Sequence, residues 1–313
     1  FKQHLLDNGV EASHIIEIVF DDRRRHNLRD PDACIEYVTS LIKDNQMYYV
    51  LLDEVQLMDD FEDALLTFLH IPNLDTYATG SNSRFLSSDV ITEFRDRGDE
   101  IHIGPLSFSE YANAFPDKPW NDLWEEYYNY GGMPYAALLS SPEEKEDYLK
   151  RLFERTYIKE IVERYNIQEK RPMDQLVNII ASSIGAPTNP LKLENTFLSM
   201  GKTKLSHVTI SQYLDYLQDA FLVEKSVRYD IKGKKYIYTP SKYYFVDMGL
   251  RNARLNFRQN EENHIMENVI YNELRMRGFS VDVGMVEIKE KQPDGVWQRK
   301  QLEIDFVANK GSR

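Results

Sequence analysis

Along the first 115 residues, short β-branched runs alternate with amphipathic stretches, as they do in β–α units. Ile15-Ile16-Glu17-Ile18-Val19-Phe20 predicts a strand. From Asp32 to Lys43, the residues Ile35, Val38, Leu41 and Ile42 recur on one side of a helix. Tyr48-Tyr49-Val50-Leu51-Leu52 predicts a second strand, and Phe61, Leu65, Phe68 and Leu69 share a face of a helix over 60–69. Leu74 to Gly80 predicts a third strand running into a polar turn, and Glu100 to Ile103 a fourth, closed by Gly104-Pro105. Strands joined by helices of this length imply a parallel sheet with covered faces.

Beyond Phe108 the pattern is helical to about Lys170, interrupted by Gly131-Gly132-Met133-Pro134. From about Pro172 to Tyr244 it reads as a small helical domain followed by a hairpin. Tyr213, Leu214, Leu217 and Phe221 share a helix face, and Val227–Tyr229 and Lys235–Tyr238 flank the basic turn Asp230-Ile231-Lys232-Gly233-Lys234. Helices followed by such a hairpin suggest a winged helix. The last 70 residues predict a helix from Ile265 to Arg277 and strands over Ser280–Val283 and Gln301–Ala308.

Composition narrows the class. The 313 residues are 42% hydrophobic and 28% charged, an ordinary globular balance, and no window approaches ~20 uncharged apolar residues. No membrane span is expected. The single cysteine, Cys34, excludes an internal disulfide and suits a reducing cytoplasm. A net charge of −13 argues against whole-molecule attraction to nucleic acid, while leaving room for a local basic patch. Seven scattered histidines and one cysteine give no zinc spacing. Phe1 to Leu6 carry no signal pattern and read like the middle of a helix.

Asp53 and Glu54 place two adjacent carboxylates at the tip of an apolar strand. The pattern resembles a Walker B motif, in which the first acid holds Mg²⁺ through water and the second polarises the attacking water. A strand end with two solvated acids is the plain alternative. About 26 residues on, Thr79-Gly80-Ser81-Asn82-Ser83 ends the next strand in small polar residues. A GxxxxGK[ST] phosphate loop is absent from the sequence.

The succession Leu-Leu-Asp-Glu-Val-Gln (51–56), Thr-Gly-Ser-Asn-Ser (79–83), Arg97, Pro-Leu-Ser-Phe-Ser-Glu-Tyr (105–111) and Tyr-Gly-Gly-Met-Pro (130–134) resembles a bacterial and archaeal family. These are AAA+-like P-loop ATPases with an appended C-terminal domain. The resemblance continues through Tyr213–Leu217, Lys242–Asp247, Gly249–Asn252, Met266–Asn268 and Glu303–Val307, and so covers essentially the whole chain. It implies an α/β fold with a partial P-loop sheet over 1–115, a helical lid over 116–171, a winged helix over 172–244 and a partial nuclease-like α/β domain over 245–313. It implies ATP and Mg²⁺ as cofactors, with Asp53 on the metal, Glu54 as base, Asn82 or Ser81 as sensor, and Arg97 as a finger-type arginine. For Arg97 a surface salt bridge is the alternative. The phosphate loop is expected upstream of Phe1, so the chain as it stands is expected not to turn over ATP.

Two further constellations follow. In the winged-helix reading, Lys202, Lys204, His207 and Gln212 lie on the recognition helix, and Lys232, Lys234 and Lys235 reach DNA phosphates from the wing. A packing module with a solvated turn is the rival. In the last segment, Glu267 on a helix and Glu303-Ile304-Asp305 on a strand look like the front half of a PD-(D/E)xK nuclease core. Glu267 and Asp305 would hold divalent metal, and the (D/E)-x-K strand is expected beyond Arg313. The favoured function is ATP binding and hydrolysis with DNA as a candidate partner. The rivals are a non-enzymatic interaction module on a degenerate ATPase and an ATPase-regulated nuclease. Expected partners are nucleotide, DNA and a second copy of the chain, in the cytoplasm.

Overall fold

A computed structural model of the chain describes residues 1–80, 97–199, 205–258, 262–291 and 297–311. The chain divides into two compact units, Phe1–Ile101 and His102–Arg313.

The first unit is a parallel sheet of three strands, β1 (Ile15–Val19), β2 (Tyr48–Asp53) and β3 (Leu74–Ala78), in that spatial order. The register pairs Val19 with Asp53 and Leu52 with Ala78, so the carboxyl tip of β2 lies between its neighbours' tips. Ile16, Ile18, Val50 and Leu52 face one side, where the helices Pro31–Leu41 and Phe61–Phe68 bury them under Cys34, Val38, Ala64 and Phe68. Asp30 starts the first helix by accepting the Ala33 amide at 2.9 Å, with Pro31 already holding a helical φ. The opposite side is only half covered. There Lys2, on the short helix Lys2–Asp7, pairs with Glu17 at 2.6 Å, and Phe1 packs on Tyr77.

The fourth strand expected over 100–103 does not form. Residues 101–104 have no regular structure, and Ile101 and Ile103 are 79% and 87% exposed. Alternation alone cannot make a strand where no neighbour supplies the ladder.

In the second unit, helices from Phe108–Ala114 to His207–Asp219 surround a core that runs from Tyr111 and Tyr127 through Leu149, Leu176, Ile180 and Leu214 to Phe245, Leu250 and Val269. One continuous core therefore draws on all three segments expected as lid, winged helix and nuclease-like domain. The hairpin of β4 (Val223–Asp230) and β5 (Lys235–Phe245) belongs to a four-stranded sheet with β6 (Ser280–Lys291) and β7 (Trp297–Asn309), in the order β5-β4-β6-β7. The β4–β6 pair is parallel, Arg228 facing Val283 and Asp230 facing Met285, while the outer pairs are antiparallel. What the sequence presents as a wing and a separate C-terminal domain is one sheet.

Asp247 joins distant parts of this unit. It caps the helix Met248–Arg254 by accepting the Leu250 amide at 2.9 Å, and its Oδ2 accepts the Gly132 amide. Asn252, on the same helix, donates to the carbonyls of Tyr128 and Asn129. Among the described residues no helix is long and apolar enough to cross a membrane.

Candidate functional site

The carboxyl end of the parallel sheet gathers the first group. β2 delivers Asp53 to its tip because the backbone ladder continues past the strand end: Phe20 donates to the Asp53 carbonyl at 3.0 Å and Thr79 to the Leu52 carbonyl at 2.8 Å. The chain then turns sharply, with Glu54 at φ +57, a left-handed conformation uncommon for a residue with a Cβ. Such strain clusters at functional positions.

The hydroxyl of Thr79 ties the two acids together. It donates to Asp53 Oδ1 at 2.5 Å and accepts the Glu54 amide at 3.3 Å. Gln56 donates through Nε2 to the Glu54 carboxylate. The result is a pair of carboxylates on the central strand, each steered by a named neighbour. The sequence directs attention away from Thr79, to the polar residues two and three positions later. Its signal was present, as a hydroxyl at the first position past an apolar strand. Ser81 and Asn82, the expected sensor, lie outside the described residues. Arg97 is exposed.

The turn between β4 and β5 carries Lys232, Lys234 and Lys235, all exposed. Asp230 shapes it by accepting the amides of Lys232 at 3.2 Å and Gly233 at 2.9 Å. Tyr229, Tyr236 and Tyr238 follow on the adjoining strands, Tyr236 and Tyr238 being more than half exposed. Lys202 and Lys204, expected on the recognition helix, lie outside the described residues. His207 pairs with Glu194 at 2.9 Å.

The third group lies under the helix Glu262–Met276. Lys242 of β5 sends its buried ammonium to Glu267 Oε1 at 2.8 Å and to Glu303 Oε1 at 2.7 Å. The hydroxyl of Tyr244 also donates to Glu267 Oε1, at 2.7 Å. Burial pulls the pKa of Lys242 down, but the hydrogen bonds and charges of Glu267 and Glu303 outweigh it and hold the ammonium above its ordinary value. Burial, reinforced by the Glu267 carboxylate, pushes the Tyr244 phenol far up, so it stays a donor.

Asp305, the expected partner of Glu267, is exposed on β7. Glu303 takes its place beside Lys242, and a β-bulge follows it. Asp282 faces Val307 while Gly284 faces Ile304, so residues 305 and 306 together stand opposite Val283. The alternation of side chains is thereby shifted, and Glu303 and Phe306, three apart, both reach the side of the sheet that holds Lys242 and Tyr244. Gly284 is needed there, since a Cβ would come within 2.8 Å of Val307 and 3.0 Å of Ile304. Arg275 engages Glu224 at 2.8 Å. Among the described residues no group of three or more His, Cys, Asp or Glu is arranged to hold a metal ion.

Comparison with known proteins adds relatives along the whole chain. Residues 1–112 match the model of a family described as an AAA domain, and residues 121–261 match one described as a domain of unknown function (DUF8612). An uncharacterized protein of Haemophilus influenzae is 30% identical over 315 residues, covering 99% of this chain and 75% of that protein. The uncharacterized protein MJ1544 of Methanocaldococcus jannaschii is 28% identical over 305 residues, covering 93% of this chain and 65% of that protein. Among solved structures, the Walker-type ATPase PABY2304 of Pyrococcus abyssi superposes with a TM-score of 0.50 at 14% identity, over 77% of this chain and 84% of that one. At that identity the likeness is one of fold.

Proposed function

We propose that the chain belongs to an AAA+-like P-loop ATPase family and that the whole protein binds and hydrolyses ATP, the first unit, matched by an AAA domain over residues 1–112, supplying the hydrolytic half of the site. The observation that carries this reading is the Asp53–Thr79–Glu54 arrangement at the tip of the central strand. Asp53 and the Thr79 hydroxyl are hard oxygen groups, the donor class that Mg²⁺ prefers, so the residues present fit the ion. Asp53 would hold it, and Mg–ATP when bound supplies the transferring phosphoryl group and the cation that offsets its charge. Glu54 is the base that takes a proton from the attacking water. Arg97 is assigned to charge stabilisation on the phosphoryl group, and Ser81 or Asn82 to orienting that water.

The test is Glu54→Gln in the whole protein. It should retain ATP binding and lower phosphate release by ~10²-fold or more, the scale of a lost positioned base. Unchanged turnover would overturn the assignment.

A second reading, association with DNA, is favoured by the turn of β4 and β5. Three exposed lysines project beside two exposed tyrosines, a combination that offers phosphate neutralisation and ring contacts on one projection. The rest of this acidic chain would contribute little attraction.

A further inference from the structure

The nuclease-like reading requires a divalent ion between a helix carboxylate and a strand carboxylate, and the residues present do not fit one. We propose that the ammonium of Lys242 is the resident cation of the centre formed by Glu267 and Glu303, and that a divalent ion enters only when this lysine is removed.

The lysine side chain is 3% exposed, and its Nζ lies within hydrogen-bond distance of one oxygen from each acid. The two oxygens thus stand close enough to share a single cation, and the cation they share is covalently part of β5. Donor capacity points the same way. A carboxylate oxygen has two lone pairs, and Glu267 Oε1 already accepts from both Lys242 and Tyr244. Nothing is left on that oxygen for a metal.

Beside Glu267 space is tight as well. Gly185, at φ +68, brings its backbone against the same carboxylate so tightly that a Cβ would come within 3.0 Å of Glu267 Oε1. Mg²⁺ sheds its waters reluctantly and needs six oxygen ligands in near-octahedral array, an array that Glu267 and Glu303 cannot join while the Lys242 ammonium holds an oxygen of each. Lys242 and Tyr244 project from the same face of one strand, and Glu303 reaches them from β7, just before the bulge. The centre therefore fastens the outer strands β5 and β7 to the helix above them, at opposite ends of the sheet order. A single charged side chain makes both ties.

Thermal unfolding of the whole chain with and without MnCl₂ tests this. Lys242→Met keeps the stem and deletes the charge, leaving two uncompensated acids. Its Tm in EDTA should fall by roughly 5–15 °C, the scale of breaking a buried ion pair in a unit of this size. About 10 mM MnCl₂ should then restore at least half of that loss, beyond any shift in the parent, by binding the folded state alone. The double variant Lys242→Met/Glu303→Gln should lose that extra recovery. Any Mn²⁺ effect arising at Asp53 is common to all three proteins and cancels in the comparison.

Absence of extra Mn²⁺ stabilisation in Lys242→Met would overturn the proposal. So would a Mn²⁺ shift in the parent that Glu303→Gln abolishes, because the acids would then be open to metal with the lysine in place. If Lys242→Met does not fold in EDTA, refolding in MnCl₂ gives the same reading: recovery supports the exchange of cations, and failure overturns it.

Discussion

The amide of Gly132 donates to Asp247 Oδ2 at 2.7 Å, across 115 residues of sequence. Around that bond the chain admits almost no added atoms. A Cβ on Gly131 would lie 2.3 Å from both Asp247 oxygens, one on Gly132 would lie 2.1 Å from the Leu106 carbonyl oxygen, and one on Gly249 would lie 2.0 Å from that of Tyr130. The segments 130–134 and 242–252, both conspicuous in the sequence, are thus two halves of one joint. Their glycines and the aspartate hold the second unit together.

Gly132→Ala should accordingly destabilise the protein by more than ~3 kcal/mol, because the clash is with backbone and cannot be relieved by a rotamer change. Gly104→Ala, where a Cβ meets nothing within 4 Å, should stay within ~0.5 kcal/mol of the parent. Urea unfolding of both variants measures the contrast, and equal midpoints would refute it.

Asp247 should also make stability depend on pH. Burial raises its pKa from 3.8 to about 6, against the pull of the Leu250, Gly132 and Gly249 amides. A carboxyl whose folded pKa lies above its unfolded value binds protons more tightly when folded. Its contribution is therefore complete below about pH 4 and is lost as pH rises through 6. The loss is on the order of 2–3 kcal/mol. Asp247→Asn should flatten this part of the pH profile, so that the difference in unfolding free energy between parent and variant changes between pH 4 and 7. A constant difference would show that Asp247 does not titrate in that window.

Thr79 gives a prediction for the proposed chemistry. Thr79→Val keeps the shape but removes the hydroxyl that steers Asp53 and receives the Glu54 amide. In the whole protein this should lower kcat by roughly 10- to 100-fold, as losing an outer partner of a metal-binding side chain does. Thr79→Ser should restore most of it. Steady-state phosphate release decides, and a Thr79→Val enzyme with parental kcat would remove Thr79 from the site.

For the basic turn, replacing Lys232, Lys234 and Lys235 with Ala should weaken duplex DNA binding and reduce the slope of log affinity against log salt by ~2 to 3. Fluorescence anisotropy across a salt series reads this directly. Equal slopes for variant and parent would leave the turn as a solvated hairpin tip.

Local patterns were legible where neighbours in sequence decide the outcome. β2 and its two terminal acids could be read because an apolar run ending in carboxylates has few other uses, and Asp30-Pro31 marks its helix by capping chemistry alone. Non-local relations could not be read. Lys242 looks like an interruption in an apolar strand until Glu267 and Glu303 are brought to it from 25 and 61 positions away. The resemblance to a nuclease core points to Asp305 rather than Glu303, and no sequence rule announces the bulge at residues 305 and 306. The hairpin looked like a free wing because the strand that pairs with its second edge arrives only at Ser280.

That late arrival has a consequence during synthesis. Ser226 on β4 donates to the Val281 carbonyl on β6, 55 residues further along. At ribosomal rates of ~5–20 residues per second, the hairpin emerges roughly 3–10 s before the strand that completes it. For that interval its inner edge offers unpaired amides and carbonyls to any passing chain. The nascent protein is therefore most vulnerable to misassembly while Glu303, which ties the last strand to Lys242, is still inside the ribosome.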